Sequence, residues 1–144
     1  MELINNREKY LRKISFLEKE IESIAKTSEG DIYSLVYPNL SYETGIQSSV
    51  ADLTPIQARI VEKVKLENKE KLRKLRQELF FLRQKVQRLE NAVDLLPKDQ
   101  YQVLRMRFYE GATIKETASD MLMSHSSVYN VTKRAISNLY ELLN

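Results

Sequence analysis

Leucine and valine recur at alternating intervals of three and four residues over a long stretch in the middle of the chain. The positions are Leu72, Leu75, Leu79, Leu82, Val86, Leu89, Val93 and Leu96. This heptad spacing aligns them on one face of an α-helix and is typical of a coiled coil. Thr54, Pro55 and Gln57 predict the start, because threonine caps free amides, proline suits the first turn and glutamine reaches back. The long coiled-coil helix therefore covers 54–96 and extends for about 60 Å at about 1.5 Å per residue.

A helix of this length needs a partner along its apolar face. One candidate is an N-terminal amphipathic helix over 1–28, whose apolar residues recur from Leu3 to Ile24 and which would fold back as an antiparallel hairpin. The other candidate is a second copy of the chain in a parallel dimer. We expect the helical hairpin within each chain, and a homodimer or small homo-oligomer built on the remaining helical surface.

Residues 29–53 separate the two helices and show no helical period. This stretch is rich in serine, tyrosine, asparagine and glycine, which predicts a linker. Connections of this length are usually functional or mobile, and the sequence leaves a docked and a disordered linker equally open.

Glycine and proline are scarce in this chain, with three of each among 144 residues, and cysteine is absent. Together with 30% charged residues this composition predicts an all-α fold. Disulfide scaffolds and thiolate zinc sites are excluded. The sequence also lacks a signal peptide and any stretch of the ~20 apolar residues that a membrane span needs. We therefore expect a cytoplasmic protein that does not contact a membrane.

Catalytic chemistry requires convergent reactive groups, and this sequence offers few. It contains one histidine, no cysteine and no glycine-rich phosphate loop, and its carboxylates alternate with lysines and arginines. We expect no enzymatic activity, no metal and no cofactor.

The positive charge is unevenly distributed along the chain. Residues 1–55 carry six Lys/Arg against nine Asp/Glu, residues 56–96 carry eleven against six, and residues 97–144 carry six against five. A basic long helix is usually a solvated surface, so charge by itself does not establish DNA binding.

Pro97 interrupts the long helix and opens a separate domain over 97–144. A helix follows Pro97 and ends at Gly111. Thr113 and Glu116 then form a capping-box pattern that starts a short second helix at Ile114. We expect its buried side to consist of Ala118, Met121 and Leu122.

Ser124 follows a tight turn and predicts the cap of a third helix from His125 to Leu143. The expected buried residues of this helix are Val128, Val131, Ala135, Ile136, Leu139 and either Leu142 or Leu143. A short helix, a tight turn and a longer helix that begins with small polar residues are typical of a helix-turn-helix, whose last helix enters a major groove.

The segment 96–143 resembles region 4 of bacterial sigma factors. The resemblance covers about a third of the chain and rests on Leu-Pro-Lys-Asp-Gln-Tyr-Gln-Val-Leu-Arg-Met-Arg-Phe-Tyr-Glu-Gly, on Ile-Lys-Glu-Thr-Ala and on Ser-His-Ser-Ser-Val-Tyr. It implies that the third helix reads promoter DNA through Ser126, Ser127, Tyr129, Asn130, Lys133 and Arg134. Arg105, Arg107 and Lys115 are weaker candidates for phosphate contacts. The chain departs from the family pattern at Leu122, where a turn glycine is usual, and at Thr117, where isoleucine or leucine is usual.

The whole layout resembles the RinA/ArpU-like phage-encoded transcriptional regulators of Gram-positive bacteria. This resemblance implies a sequence-specific DNA-binding regulator that activates late phage genes, with double-stranded DNA and RNA polymerase as partners. Two alternatives remain open from the sequence. One is a DNA-binding oligomer similar to a phage terminase small subunit, and the other is a helical adaptor that binds protein through its coiled coil.

Overall fold

The computed structural model describes residues 2–27 and 54–144, and within these ranges the chain forms helices and no strand. The elements are α1 (Glu2–Asn5), α2 (Arg7–Ala25), α3 (Pro55–Asp94), α4 (Lys98–Leu104), a π-helical turn (Arg105–Tyr109), α5 (Ile114–Met121) and α6 (His125–Leu143). The predicted all-α fold is confirmed. The predicted linker, 29–53, lies outside the described residues. None of the described helices combines the length and the apolar character needed to cross a bilayer.

The start of α3 uses the reciprocal hydrogen bonds that its sequence predicts. The amide of Gln57 donates to Thr54 Oγ1 at 3.3 Å, and the amide of Thr54 donates to Gln57 Oε1 at 3.0 Å. At the other end the amides of Leu95 and Leu96 donate to carbonyls three residues earlier, at 3.3 and 3.1 Å. This tightening of the last turn ends the helix shortly before Pro97, which has no amide hydrogen to donate.

The chain forms two compact units. The terminal unit consists of residues 2–13 and 81–144, and the middle unit spans Ile14–Phe80, of which 14–27 and 54–80 are described. The buried apolar residues of the middle unit are Ile14, Leu17, Val61 and Leu79. Leu72 and Leu75 of the heptad are half-buried there.

The core of the terminal unit includes the last three residues of the predicted heptad, of which Leu89 and Val93 lie on α3 and Leu96 follows it. Leu89, Val93 and Leu96 are at most 8% exposed. They pack in one cluster with Ile4 of α1, Leu104 of α4, and Ala135 and Leu139 of α6. At its C-terminal end, therefore, the apolar face of α3 packs on α1, α4 and α6, and it is not left for a second copy of the chain.

Within the terminal unit, the beginning of α2 runs antiparallel to the end of α3. Arg7 Nε lies 2.7 Å from Glu90 Oε1, and Lys85 Nζ lies 5.7 Å from the centroid of the Tyr10 ring. As α2 advances from Arg7 to Tyr10, its partners on α3 move back from Glu90 to Lys85. These contacts pair the beginning of α2 with the end of α3, as in the antiparallel hairpin that the sequence predicts.

The predicted helix after Pro97 changes its winding before it ends. The amide of Glu110 donates to the carbonyl of Arg105 at 3.0 Å, which gives the wider turn of a π-helix. Gly111 then takes a φ of 73°, a left-handed conformation that favours glycine and ends the helix where the sequence predicts.

Candidate nucleic-acid interface

The first helix of the helix-turn-helix, α5, begins with the predicted capping box. The amide of Glu116 donates to Thr113 Oγ1 at 3.1 Å, and the amide of Thr113 donates to Glu116 Oε2 at 3.2 Å. Thr117 is fully buried, and its hydroxyl donates to the carbonyl of Thr113 at 2.8 Å. Threonine stands here where the family pattern usually has isoleucine or leucine. Because its hydroxyl is hydrogen-bonded, this difference leaves no unsatisfied hydroxyl in the core.

Leu122 forms the turn between α5 and α6, and its expected burial was wrong. It adopts the left-handed conformation, with φ 54° and ψ 43°, and it is 93% exposed. The residue that follows the last helical position leaves the helical repeat, so the apolar periodicity of α5 no longer predicts its direction. Met121 and Met123 on either side are half-buried and pack against a cluster of Val103, Ala118, Val128 and Val131.

The second helix of the motif, α6, starts with the predicted serine cap. The amide of Ser127 donates to Ser124 Oγ at 3.1 Å, and the Ser124 hydroxyl donates to Ser127 Oγ at 2.9 Å. The buried side of the helix is formed by Val128, Val131, Thr132, Ala135 and Leu139. Of the two alternatives at its end, Leu143 packs against the core and Leu142 is 49% exposed.

Two polar contacts fix α6 on the preceding helices. Asn138 Nδ2 donates to Gln100 Oε1 of α4 at 2.7 Å, and Gln100 is itself 8% exposed. On the π-helical turn, Arg107 Nη1 donates to Thr132 Oγ1 at 3.5 Å. Since Thr132 lies on the buried side of α6, Arg107 faces the interior of the terminal unit and not the outer face of α6.

All six predicted DNA-contact residues, Ser126, Ser127, Tyr129, Asn130, Lys133 and Arg134, are exposed. At about 3.6 residues per turn they occupy one face of α6, opposite the buried face centred on Ala135. Ser127 is engaged in the cap. Asn130, Lys133 and Arg134 have no side-chain hydrogen bond or ion pair with another residue of the described ranges.

A shallow depression lies where the N-termini of α5 and α6 meet. It is lined by Thr113, Ile114, Lys115, His125, Ser126, Tyr129 and Asn130. The free amides of a helix N-terminus carry partial positive charge and attract anions. Lys115 adds a full charge at the same place, so the depression is suited to a phosphate. The sequence marks Lys115 only as a weaker candidate. Its nearness to α6 depends on the turn between the helices.

Tyr109, at the end of the π-helical turn, is held between two arginines. The guanidinium carbons of Arg7 and Arg105 lie 3.8 and 4.7 Å from the centroid of its ring. The buried hydroxyl is near enough to Glu90 to sense its charge, but it makes no hydrogen bond of good geometry with a described residue. Burial, with the negative charge of Glu90 adding to it, raises the pKa of Tyr109 to about 12. Arg105 is engaged with this ring and lies outside the candidate interface.

Comparison with protein families gives a match over residues 86–139 to the family described as Sigma-70, region 4. Searches of curated proteins and of solved structures found no match. The matched segment begins inside α3, which agrees with the burial of Leu89 and Val93 in the core that α4 and α6 complete. The C-terminal part of this chain therefore contains a helix-turn-helix similar to region 4 of sigma factors.

Proposed function

We propose that this chain is a sequence-specific, DNA-binding transcriptional regulator that places the first half of α6 in the major groove of duplex DNA. The match to sigma region 4 supports a DNA-binding, non-enzymatic role for the C-terminal helices. The observation that carries the proposal is the position of the six predicted contact residues on one exposed face of α6, opposite its buried face.

The dimensions of this face suit a major groove. An α-helix with its side chains is about 10–12 Å across, and the groove is about 12 Å wide, so the helix fits into it. The face from Ser126 to Arg134 extends for about 12 Å along the helix axis at about 1.5 Å per residue. Asn130 lies at the centre of the face, where its amide group can pair with the N6 and N7 atoms of adenine. Lys133 and Arg134 follow on the same face and can bind guanine or a phosphate.

The depression at the start of α5 supplies a phosphate contact beside the groove. Lys115 and the free amides at the N-terminus of α5 would hold one phosphate while α6 reads the bases. Contacts of this kind set the register of a protein on the duplex, and base contacts then determine the sequence it selects. The proposal therefore assigns orientation to Lys115 and specificity to Asn130.

The finer part of the proposal concerns the biological setting. The layout resembles RinA/ArpU-like regulators, and we propose activation of late phage genes, with RNA polymerase as a further partner. We also propose a homodimer or small homo-oligomer held by helical surface, so that two copies read half-sites separated by a whole number of helical turns.

A binding experiment tests the DNA contact directly. The full chain is mixed with fragments of its neighbouring genomic DNA, with non-specific competitor, at low and moderate salt. We expect one fragment to be shifted specifically, and its affinity to fall as salt rises with a slope near −0.9 per neutralised phosphate. No shifted fragment at any salt would reject the proposal and would favour an adaptor that binds protein.

A pair of α6 variants tests the assignment of specificity. Asn130→Ala is expected to weaken binding to the selected fragment by about tenfold or more, and to reduce its preference over competitor. Ser137→Ala, two turns further along the same face, is the matched control and is expected to bind as the unmodified chain does. Equal loss in both variants would contradict the assigned position of the groove.

The mass of the chain in solution separates a regulator from a terminase-like assembly. A monomer, dimer or small oligomer agrees with the proposal, and a large ring would favour the terminase-like alternative.

Leu82, half-buried on α3, belongs to the predicted seam. Leu82→Asp is expected to lower the melting temperature of the protein or the mass of its oligomer in solution. If neither value changes, Leu82 does not belong to a helical seam.

A further inference from the structure

A half-open cavity of about 380 Å³ lies between α1, the end of α3 and the C-terminal half of α6. Its apolar lining consists of Leu3, Ile4, Leu89, Ile136, Leu139 and Leu143. Small-molecule sites are typically apolar cavities of roughly 300–1,000 Å³ with a few polar groups that orient the ligand. This cavity has the volume and the lining of such a site.

The side chains that line the cavity carry one more positive than negative charge. Lys85 and Arg88 contribute two cations, Glu2 contributes one carboxylate, and Tyr140 and Asn144 complete the lining. Charge complementarity therefore favours an anion over a cation or a neutral molecule.

Arg88 is held in place by the helix that it faces. Its Nη2 donates to the carbonyl of Leu143 at 2.6 Å, which satisfies one of the free carbonyls at the end of α6. A guanidinium has five donors in a fixed plane, so this single bond leaves donors available to a carboxylate. Lys85 lies 5.7 Å from the centroid of the Tyr10 ring and supplies the second cation.

We propose that this cavity binds a small amphipathic anion, namely an aliphatic chain that ends in a carboxylate. The aliphatic chain lies on the apolar lining formed by α1, α3 and α6, and the carboxylate is bound by Arg88 and Lys85. This site lies at the opposite end of α6 from the face proposed to contact DNA.

The same helix connects the two sites. Ile136, Leu139 and Leu143 line the cavity, and Asn130 and Lys133 lie about one to four turns earlier on α6. A ligand that binds one position of α6 more tightly than another shifts the population toward that position. Control of DNA affinity by the anion is the second step of the proposal. It requires two positions of α6 that the anion binds unequally, and it rests on the proposed function.

Calorimetric titration of the full chain with decanoate, below its micelle concentration, tests the site without DNA. Decanol and decyltrimethylammonium share the same chain and differ in the charge of the head group. We expect saturable binding of one decanoate per chain, at least tenfold tighter than either analogue. Absence of saturable binding, or equal affinity for the three compounds, would overturn the proposal.

Three variants locate the bound decanoate. Ile136→Phe fills the cavity from α6 and is expected to weaken decanoate binding at least tenfold, and Lys85→Gln about fivefold. Lys98→Gln changes a lysine of α4 outside the lining and is expected to leave the affinity unchanged. Unchanged affinity in both cavity variants, with thermal melting showing that they fold, would overturn the location.

A second copy of the chain is the competing occupant. Sedimentation experiments test this alternative. If the chain is a dimer that Ile136→Phe dissociates, and if the chain binds no decanoate, the cavity belongs to a protein interface and the proposal is overturned.

Fluorescence anisotropy of the selected DNA fragment, with and without decanoate, measures the coupling between the anion site and DNA binding. The calorimetric titration contains no DNA, so its failure contradicts only the anion site. Failure of the binding experiment with DNA fragments contradicts only the proposed DNA contact.

Discussion

Arg7 and Glu90, which are separated by 83 positions in the sequence, form an ion pair with 2.7 Å between Nε and Oε1. Their side chains are 20% and 24% exposed, and the guanidinium of Arg7 also lies on the ring of Tyr109. A single arginine therefore joins α2, the end of α3 and the π-helical turn. This contact makes the beginning of the chain part of the unit that carries the helix-turn-helix.

Replacement of Arg7 by alanine is expected to lower the free energy of unfolding by about 1–2 kcal/mol, because the change removes a partly buried ion pair and a cation–π contact. Urea denaturation of the full chain measures the difference. Arg12→Ala is the matched control, because Arg12 pairs with Glu8 at 3.5 Å through side chains that are 82% and 72% exposed. The control should change stability by less than about 0.5 kcal/mol. If both variants lose the same free energy of unfolding, the contacts of Arg7 with Glu90 and Tyr109 contribute no more to stability than an exposed ion pair does.

Lys133→Ala and Arg134→Ala are each expected to weaken DNA binding while leaving the fold intact, because both side chains are exposed on α6. If a side chain contacts a phosphate, its removal reduces the salt dependence of log K by about one unit of slope. If it contacts a base, its removal reduces preference for the selected fragment instead. Titrations at several salt concentrations separate the two roles, and unchanged affinity in both variants would reject the contact assignment.

Leu122→Gly is expected to stabilise the chain by about 0.5–1 kcal/mol, because glycine adopts the left-handed conformation without the steric penalty that leucine carries. Leu122→Ala is the matched variant, since it removes the exposed side chain and keeps the penalty at the Cβ atom. Thermal or urea melting of the three proteins measures the effect. A glycine variant no more stable than the alanine variant would show that the turn is not strained at this position.

The stability of the terminal unit is expected to fall as the pH rises from about 10 to about 12. The pKa of Tyr109 is raised to about 12 in the fold, whereas an unfolded tyrosine loses its proton near 10. In that interval the unfolded chain binds fewer protons than the folded chain, so rising pH favours unfolding. Since the side chain is partly exposed, solvent screening reduces the contribution to about 1 kcal/mol.

Tyr109→Phe isolates this effect from the titration of other tyrosines and lysines. The unfolding free energy of the unmodified chain, minus that of Tyr109→Phe, should fall by about 1 kcal/mol as the pH rises through this interval. Tyr140→Phe, at a tyrosine that is 64% exposed, is the control for removing a hydroxyl group from the protein surface. A constant difference across this range would contradict the raised pKa.

The helices and their beginnings could be predicted from the sequence because the interactions that specify them are local. The bonds between Thr54 and Gln57, Thr113 and Glu116, and Ser124 and Ser127 each join residues three positions apart. The exposed face of α6 was equally predictable, because helical periodicity places Asn130 opposite Ala135. The part of the candidate interface that α6 forms therefore follows from the order of residues along one helix.

The tertiary structure alone decided which residues far apart in sequence are in contact. The heptad identified the apolar face of α3, but periodicity does not say what covers that face, and Leu89 and Val93 pack with Ile4 and Leu139. Lys115 lies beside Asn130 because the turn at Leu122 brings the starts of two helices together. The sequence alone determined which residues face outward on α6. Packing between helices determined which faces of the helices meet, because that choice depends on shape and burial summed over the whole unit.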